Sequence, residues 1–444
     1  MKVLIANRGE IAVRVIRTCK ELGFKTVAVY SEADANSYHR QFADEDICIG
    51  GPYSKQSYLN IPNIISAALV TNAKAIHPGY GFLSENAKFS QICKDHDLIF
   101  LGPSPEVITL FGDKSTAKNT MKKLGVPTVP GSESIISSVD EALGIAREVG
   151  YPVIIKATAG GGGKGMRVCF SDEDLKKFLP LAQGEAQAAF GNPGVYIEKY
   201  IQNPKHIEIQ FLGDRFGNAI TLGERDCSIQ RKHQKLVEEA PGPTITPEQR
   251  EKISEVVRKA VSSVGYVGAG TMEFIMDDKG NFYFMEVNTR IQVEHTVTET
   301  ITGIDIIREQ ILVCLGEKLS ISQEDVKLNG HAIECRINAE DPFNDFRPSP
   351  GVIKTLHLPG GFGVRVDTHV YQGYEIPMFY DSMIAKLIVW GKDRNEAITR
   401  MKRALDEFVV EGVPTTIPFH SKVMNHPVFL GGIHTTRFLE EFEL

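Results

Sequence analysis

From Met285 to His295 the chain reads Met-Glu-Val-Asn-Thr-Arg-Ile-Gln-Val-Glu-His. The preceding run, Asn281 to Met285, reads as a strand, and strand alternation places Glu286 and Asn288 on one face. Arg290, Gln292 and Glu294 continue the spacing of two. An unpaired buried charge costs several kcal/mol, so carboxylates, amides and a guanidinium this crowded suit a bound metal or anion. The alternative is an exposed edge strand with solvated charges. Glu273 lies on the strand before. A two-residue turn at Lys279-Gly280 would set Glu273 opposite Glu286 across the hairpin. Like charges directly opposite repel unless a cation sits between them. Glu273, Glu286 and Asn288 supply oxygen ligands, as a hard cation requires, and magnesium on the phosphates of ATP is the natural occupant.

Other segments could handle phosphate or charge. Residues 159 to 165 read Ala-Gly-Gly-Gly-Gly-Lys-Gly. Successive glycines let backbone N–H groups approach an anion unobstructed, as in a mobile cover over phosphates, although a surface hairpin would look the same. Just before them Lys156 ends the apolar strand Val153 to Ala157, where its charge wants an anion. Val195 to Ile201 reads as a strand carrying Glu198 and Lys199, whose backbone could bond an adenine. His206, Glu208 and Gln210 alternate with Ile207 and Ile209, which gives a polar face that could be solvated. Gln230-Arg-Lys-His-Gln-Lys235 reads as a solvated loop or as an anion cradle near a nucleotide. Arg336, with Glu334 two residues before it, sits in the alternation of His331 to Ala339 as an ordinary Arg–Glu pair would.

The elements that must position these residues follow an α/β rhythm at first. Strands at Val3–Ala6, Thr26–Tyr30, Ala73–Ile76 and Leu98–Leu101, with a helix at Ile11–Leu22, imply a parallel sheet with crossover helices. The first turn, Asn7-Arg8-Gly9-Glu10, could hold a phosphate but lacks a dinucleotide fingerprint. After a helix at Lys114–Leu124 and a Pro/Gly connector comes a smaller unit, roughly 131 to 203. The chain then becomes strand-rich, with strands at His206–Phe211, Ala219–Leu222, Thr271–Met276 and Phe282–Asn288. Helices at Pro247–Val264 and Asp305–Leu315 interleave, and the helix Arg394–Val410 closes the chain. The fold class expected is α/β and α+β, multidomain, within 444 residues. A net charge of -7 argues against a general nucleic-acid binder. No apolar run approaches the roughly 18 residues that span a bilayer. Lys2 to Ala6 already reads as a strand, so no signal peptide is expected. Seven scattered cysteines without a Cys-x-x-Cys pair fit a reduced, cytoplasmic compartment.

Tyr151-Pro-Val-Ile-Ile-Lys-Ala157 with its glycine tract, the stretch Met285 to His295, and His331-Ala-Ile-Glu-Cys-Arg-Ile-Asn-Ala-Glu-Asp341 together resemble the biotin carboxylase family, a branch of the ATP-grasp ligases. Ala6-Asn-Arg-Gly-Glu10, Ile76 to Asn86, and Tyr380-Asp-Ser-Met383 also match its pattern. The resemblance runs the whole chain. It implies an N-terminal parallel α/β domain (1–112), a linker helix and ATP-grasp lid (113–203), an ATP-grasp core (204–330) and a C-terminal domain (331–444). It implies that ATP, bicarbonate and biotin give ADP, phosphate and carboxybiotin.

By position, the resemblance assigns nucleotide contacts to Lys114, Lys156, Gly162, Gly163, Glu198, Lys199, Ile201, His206, Gln230 and His233. Glu273, Glu286 and Asn288 would hold magnesium, with manganese as a substitute. Lys235, Arg290, Gln292, Val293 and Glu294 would surround bicarbonate, with Glu294 as general base and Arg336 facing biotin. A biotin attachment site in such enzymes looks like Ala-Met-Lys-Met. Met-Lys occurs at Met1, Met121 and Met401, and Met follows none of them. Biotin is therefore expected on a separate biotin carboxyl carrier protein, and the acceptor chemistry on a separate carboxyltransferase, since Leu444 leaves no room for one. The family implies a homodimer and the first half-reaction of acetyl-CoA carboxylase in fatty acid biosynthesis. A pyruvate, propionyl-CoA or 2-oxoglutarate carboxylase would share that half-reaction. A different ATP-grasp ligase would keep the magnesium residues but not Arg336 and the bicarbonate set. A non-catalytic ATP-binding protein of a larger complex would lack part of both sets.

Overall fold

Val3, Leu4 and Ile5 have no exposed surface, and neither have Val27, Ala28 and Val29. Strands apolar on both faces belong in a parallel sheet covered by helices. In the computed structural model β1 (Lys2–Ile5), β2 (Lys25–Tyr30), β3 (Glu45–Cys48), β4 (Ala75–His77) and β5 (Ile99–Phe100) form that sheet, in the order β3-β2-β1-β4-β5 and parallel throughout. β3 is an edge strand whose residues are mostly exposed, so it carries no apolar signal in the sequence. The structure describes residues 1–157, 166–190, 192–440 and 442. They divide into two compact units, one of Met1–Val126, Lys205–Phe274 and Met285–Leu444, the other of Pro127–Pro204 and Ile275–Phe284.

The turn after β1 opens the helix Gly9–Glu21, and Gly9 takes φ +67, a left-handed backbone that a side chain would strain. Its charged residues are committed to internal pairs rather than left for a phosphate. Arg8 Nε and Nη2 donate to Asp34 Oδ2 (2.6 Å) and Oδ1 (2.8 Å), and the Tyr58 hydroxyl donates to the same carboxylate at 2.6 Å. Glu10 is buried against the Lys386 ammonium at 3.2 Å.

In the second unit β6 (Val153–Ala157), β7 (Arg167–Cys169) and β8 (Val195–Lys199) form an antiparallel sheet ordered β7-β6-β8. Helices Val139–Val149 and Asp172–Phe190 cover it, and Val153, Ile155, Val195 and Ile197 are fully buried beneath them.

The larger sheet holds β9 (Lys205–Gly213), β10 (Ala219–Arg231), β11 (Gln234–Ala240), β12 (Gly268–Met276), β13 (Phe282–Asn288) and β14 (His331–Asn338). The order is β13-β12-β9-β10-β11-β14, continued by strands Met383–Gly391 and Val364–Thr368. Helix Pro247–Ser263 packs on β9 and β10, and helix His295–Thr302 packs on β10, β11 and β14.

Several sequence expectations fail here for physical reasons. The strand expected to end at Leu222 runs to Arg231. Lys232 and His233, both at positive φ, make a two-residue turn into β11, so Gln230 to Lys235 is a hairpin tip rather than a loop. The polar face of β9 is not solvated, because Glu208 and Gln210 have no exposed surface. The turn before β13 is not the two-residue one. Gly280 N–H donates to Asp277 O and Asp277 N–H to Asn281 O, each at 3.1 Å, with Gly280 at φ +79 in a three-residue turn. The register that would set Glu273 against Glu286 is therefore not the one this turn starts. The last long helix stops at Glu407, where Val409–Glu411 pairs instead with Thr355–His357.

Burial alone would raise the Asp34 carboxyl, but the Arg8 guanidinium outweighs it and holds the pKa at about 2, below the ordinary 3.8. That gap corresponds to about 2 kcal/mol of folding stability, present above the unfolded pKa and lost as pH falls towards about 2. The stability difference between the wild type and Asp34→Asn, measured by denaturant unfolding, is expected to be largest above about pH 4 and to shrink towards pH 2. A difference that stays constant across that window would contradict the pairing.

Candidate active site

Three buried carboxylates meet at one ammonium. Lys235, on β11, donates from Nζ to Glu208 on β9, to Glu273 Oε1 on β12 at 3.0 Å and to Glu294 Oε1 at 2.8 Å. Sheet order makes this possible, since β12, β9, β10 and β11 are consecutive neighbours. Arg225, with no exposed surface, stands opposite Glu208 in the β10–β9 register and donates to it from Nε (3.2 Å) and Nη2 (3.1 Å). Its remaining donors reach Gln210, Thr271, Thr298 and Gln292, the last at 2.6 Å. His206 Nε2 lies 2.9 Å from Glu273 Oε2.

Burial would raise the Glu294 carboxyl, but Lys235, Arg336 and Arg225 outweigh it and hold it well below the usual carboxylate range. Glu273 is lowered against its burial by Lys235 and His206. Glu208 shows the opposite result: burial, with Glu294 and Glu273 close by, raises it despite Lys235 and Arg225. Burial opposes the Lys235 ammonium, yet its three carboxylates raise its pKa well above normal. The acids Glu208, Glu238, Glu273 and Glu294 share Lys235, Arg225, Arg336 and a His206 whose pKa is raised against burial by Glu273; burial raises Glu238, as it does Glu208, despite Arg336.

Arg290 lies just beyond β13 and is paired with Glu85. Its Nε donates to Glu85 Oε2 at 2.9 Å, and its Nη2 to Asn288 Oδ1 at 2.9 Å. Asn288 and Gln292 each donate to Glu273 Oε1, at 2.7 and 2.8 Å. Glu286 is half-exposed and lies 3.5 Å from Lys114, at the start of helix Lys114–Lys123. Both line a cavity with Glu85, Asn288 and Thr289. The oxygen-only set of Glu273, Glu286 and Asn288 fits a hard cation. Among the described residues, the tight groups of ligand-type side chains are His206–Glu208–Glu273 and Glu208–Cys227–Glu294, and neither includes Glu286.

Arg336, on β14, does not pair with Glu334 as its spacing suggests. Its Nε donates to Glu238 Oε1 (2.6 Å) and its Nη2 to Glu294 Oε2 (2.9 Å). It lines a cavity of about 470 Å³ with Tyr80, Phe82, Gln234, Val293 and Tyr380. Gln230 is half-buried near the end of β10, and His233 is exposed at the hairpin tip.

In the second unit Lys156 Nζ donates to Glu198 Oε2 at 2.6 Å, so its charge is already answered. Lys199 Nζ donates to the Gly150 and Tyr151 carbonyls at 2.8 and 2.9 Å, so its side chain is structural here. Ile201 is buried beyond β8. Gly162 and Gly163 lie outside the described residues.

Sequence reasoning misses Arg225, Glu208, Glu238 and Glu85 as site residues. Glu208 carries one signal, a carboxylate between isoleucines on a strand that proves buried on both faces. Arg225 and Glu238 carry none, since they join the site through cross-strand pairing.

Three family models match consecutive parts of the chain: biotin carboxylase N-terminal domain over residues 1–108, carbamoyl-phosphate synthase L chain ATP-binding domain over 113–322, and biotin carboxylase C-terminal domain over 334–441. A biotin carboxylase from Nostoc sp. is 61% identical over 440 residues, covering 99% of this chain and 98% of that one. Biotin carboxylase 1 from Bacillus subtilis is 59% identical over 444 residues, covering 100% and 99%. The crystal structure of the biotin carboxylase domain dimer of Hydrogenobacter thermophilus 2-oxoglutarate carboxylase, in complex with MgADP, ADP and bicarbonate, superposes with a TM-score of 0.89 at 55% identity, covering 99% and 97%.

Removing one member of a buried ion pair leaves the other uncompensated, at about 3 kcal/mol or more. Arg225→Met and Glu208→Gln are each expected to destabilise by about that amount. The double variant should cost less than the sum, with a coupling of about 1–3 kcal/mol in denaturant unfolding. Strict additivity would show that the two do not act as a pair.

Proposed function

The chain belongs to the biotin carboxylase family of ATP-dependent ligases, and we propose that it carboxylates biotin borne on a separate carrier protein, using ATP and bicarbonate. The observation that carries the residue assignments is Glu294, held between the Lys235 ammonium and the Arg336 guanidinium. A carboxylate so placed is ionised and can accept the bicarbonate proton. An arriving bicarbonate shares Lys235 with Glu294, which weakens the lysine's hold on Glu294 and raises its basicity as the proton moves.

Deprotonated bicarbonate attacks the terminal phosphorus of ATP, and the bond from that phosphorus to the ADP oxygen breaks, giving carboxyphosphate. Lys114 is assigned to offset charge on the phosphoryl oxygens, which is positioning and electrostatics more than covalent chemistry. Glu273, Glu286 and Asn288 would hold magnesium, whose charge, when bound, offsets that of the phosphates. Lys199 is assigned to the nucleotide through its backbone carbonyl, because its ammonium holds two carbonyls and its N–H donates to the Pro130 carbonyl at 2.8 Å. Carboxyphosphate releases CO2, its phosphate takes the ureido proton of biotin, and the ureido nitrogen bonds to CO2. The enolate-like ureido oxygen formed on the way needs a cation, and Arg336 faces the cavity that would receive the ring.

The final acceptor lies with a carboxyltransferase partner. Acetyl-CoA is the first choice, with pyruvate, propionyl-CoA or 2-oxoglutarate as alternatives. Co-purification of the carrier and carboxyltransferase would decide among them. We place the protein in the cytoplasm as a homodimer. Among the described residues no helix is long and apolar enough to cross a membrane.

Purified protein is expected to release phosphate from ATP only with magnesium, bicarbonate and free biotin all present, and to stop when EDTA removes the metal. Turnover indifferent to both bicarbonate and biotin would sink the proposal. Arg336→Ala is expected to leave ATP affinity unchanged while carboxybiotin formation falls by roughly 100-fold, as for loss of one oxyanion-stabilising donor. A normal carboxybiotin yield would remove Arg336 from its role.

A further inference from the structure

Val293 sits between Gln292 and Glu294 but has an apolar side chain. Any part it takes in holding an anion must come from its backbone N–H. Among the described residues, neither the Val293 N–H nor the Glu294 N–H donates to another protein group. The carbonyls on the same peptide planes are both taken. The Gln292 carbonyl lies 2.7 Å from His295 Nδ1, and the Val293 carbonyl accepts from Lys386 Nζ at 2.8 Å. In a planar trans peptide the C=O and the following N–H point in opposite directions. In each plane the N–H therefore points away from the group on its carbonyl: the Val293 N–H away from His295, whose backbone N–H also donates to the Gln292 carbonyl at 3.4 Å, and the Glu294 N–H away from Lys386. Val293 lines the cavity that Arg336 also lines.

The two holding groups are costly and unused by the chemistry. Lys386 has no exposed surface and stands directly opposite Arg336 in the register of β14 and Met383–Gly391. Its charge is answered by Glu10 Oε2 at 3.2 Å and Asp367 Oδ2 at 4.0 Å, and the Tyr80 hydroxyl donates to the other Glu10 oxygen. Burying an ammonium costs several kcal/mol before such pairing, so an apolar residue would serve a purely structural need more cheaply. His295 is fully buried, and burial, with Lys386, Arg14 and Arg365 nearby, keeps its pKa well below normal. A neutral imidazole facing a carbonyl carries its proton on Nδ1. We infer that Lys386 and His295 are positioning residues that preset the Val293 and Glu294 N–H groups as a paired anion cradle for bicarbonate. Adjacent N–H groups aimed to one side form such cradles elsewhere. The inference rests on the bicarbonate role proposed for Gln292, Val293 and Glu294.

The test is steady-state kinetics of bicarbonate- and biotin-dependent ATP turnover by the full chain. The wild type comes first, since a wild type that ignores bicarbonate defeats the functional reading itself. Lys386→Met alone leaves Glu10 uncompensated, so it is paired with Glu10→Gln, which restores the balance and can still accept from Tyr80. His295→Leu removes the other holding group, and His295→Asn returns a donor near the position of Nδ1. The Lys386→Met/Glu10→Gln and His295→Leu enzymes are expected to raise the KM for bicarbonate about tenfold with the KM for ATP little changed, and His295→Asn to restore it. An unchanged bicarbonate KM in these folded variants would overturn the inference. So would a parallel loss of ATP and bicarbonate affinity that tracks a fall in melting temperature, because that marks a merely structural role.

Discussion

Glu273 and Glu294 could not remain ionised beside the buried Glu208 without the Lys235 ammonium among the three. Much of the larger sheet can be understood from that requirement. The lysine must come from β11 and two of the acids from β9 and β12, so the strand order has to keep those strands within a side chain's reach. Arg225 then fills the polar layer beneath, bonding Glu208, Gln210, Thr271, Thr298 and Gln292 from one fully buried guanidinium. A layer of this kind would be a liability if any member were unpaired, and nearly every member has partners.

The segment from Arg290 to Glu294 is held from several directions. Glu85 holds Arg290, Arg225 holds Gln292, Lys386 holds the Val293 carbonyl, and Lys235 with Arg336 holds Glu294. The holding groups come from the N-terminal α/β part, the larger sheet and the C-terminal strands. Donors and acceptors fixed before substrate arrives need little reorganisation when charge moves, which is the condition for electrostatic catalysis. The same ties account for the charged residues of the turn at Asn7 to Glu10: Arg8 and Glu10 brace the neighbouring parts of the same unit instead of facing a phosphate.

The parallel N-terminal sheet is legible in the sequence because its strands are apolar on both faces, while β3 is not, because an exposed edge strand has no periodicity to read. The run from Glu286 to Glu294 is legible because its residue types are too polar for an ordinary strand end. The polar alternation of His206, Glu208 and Gln210 leaves a solvated face open as a reading, and that reading fails. Alternation shows that a strand has two different faces, but not that side chains of neighbouring strands, here Arg225, Lys235 and Glu273, meet the polar one. The segment Gln230 to Lys235 reads as a loop only because its hairpin turn uses Lys232 and His233 at positive φ, residues without a turn signature.

What the sequence determined by itself was the inventory: the strands with regular burial, the carboxylate, amide and guanidinium run, the family resemblance and the positions it assigns. Local spacing is enough for these, since each depends on residues a few positions apart. Tertiary structure decided the partners. Arg336 lies two residues from Glu334 yet bonds Glu238 and Glu294, because neighbouring strands and a turn bring distant residues closer than the strand's own alternation does. Arg225, Glu85 and Lys386 entered the site in the same way. Charge compensation in a buried layer is a property of distances across the sheet, and those distances exist only once the strands have paired.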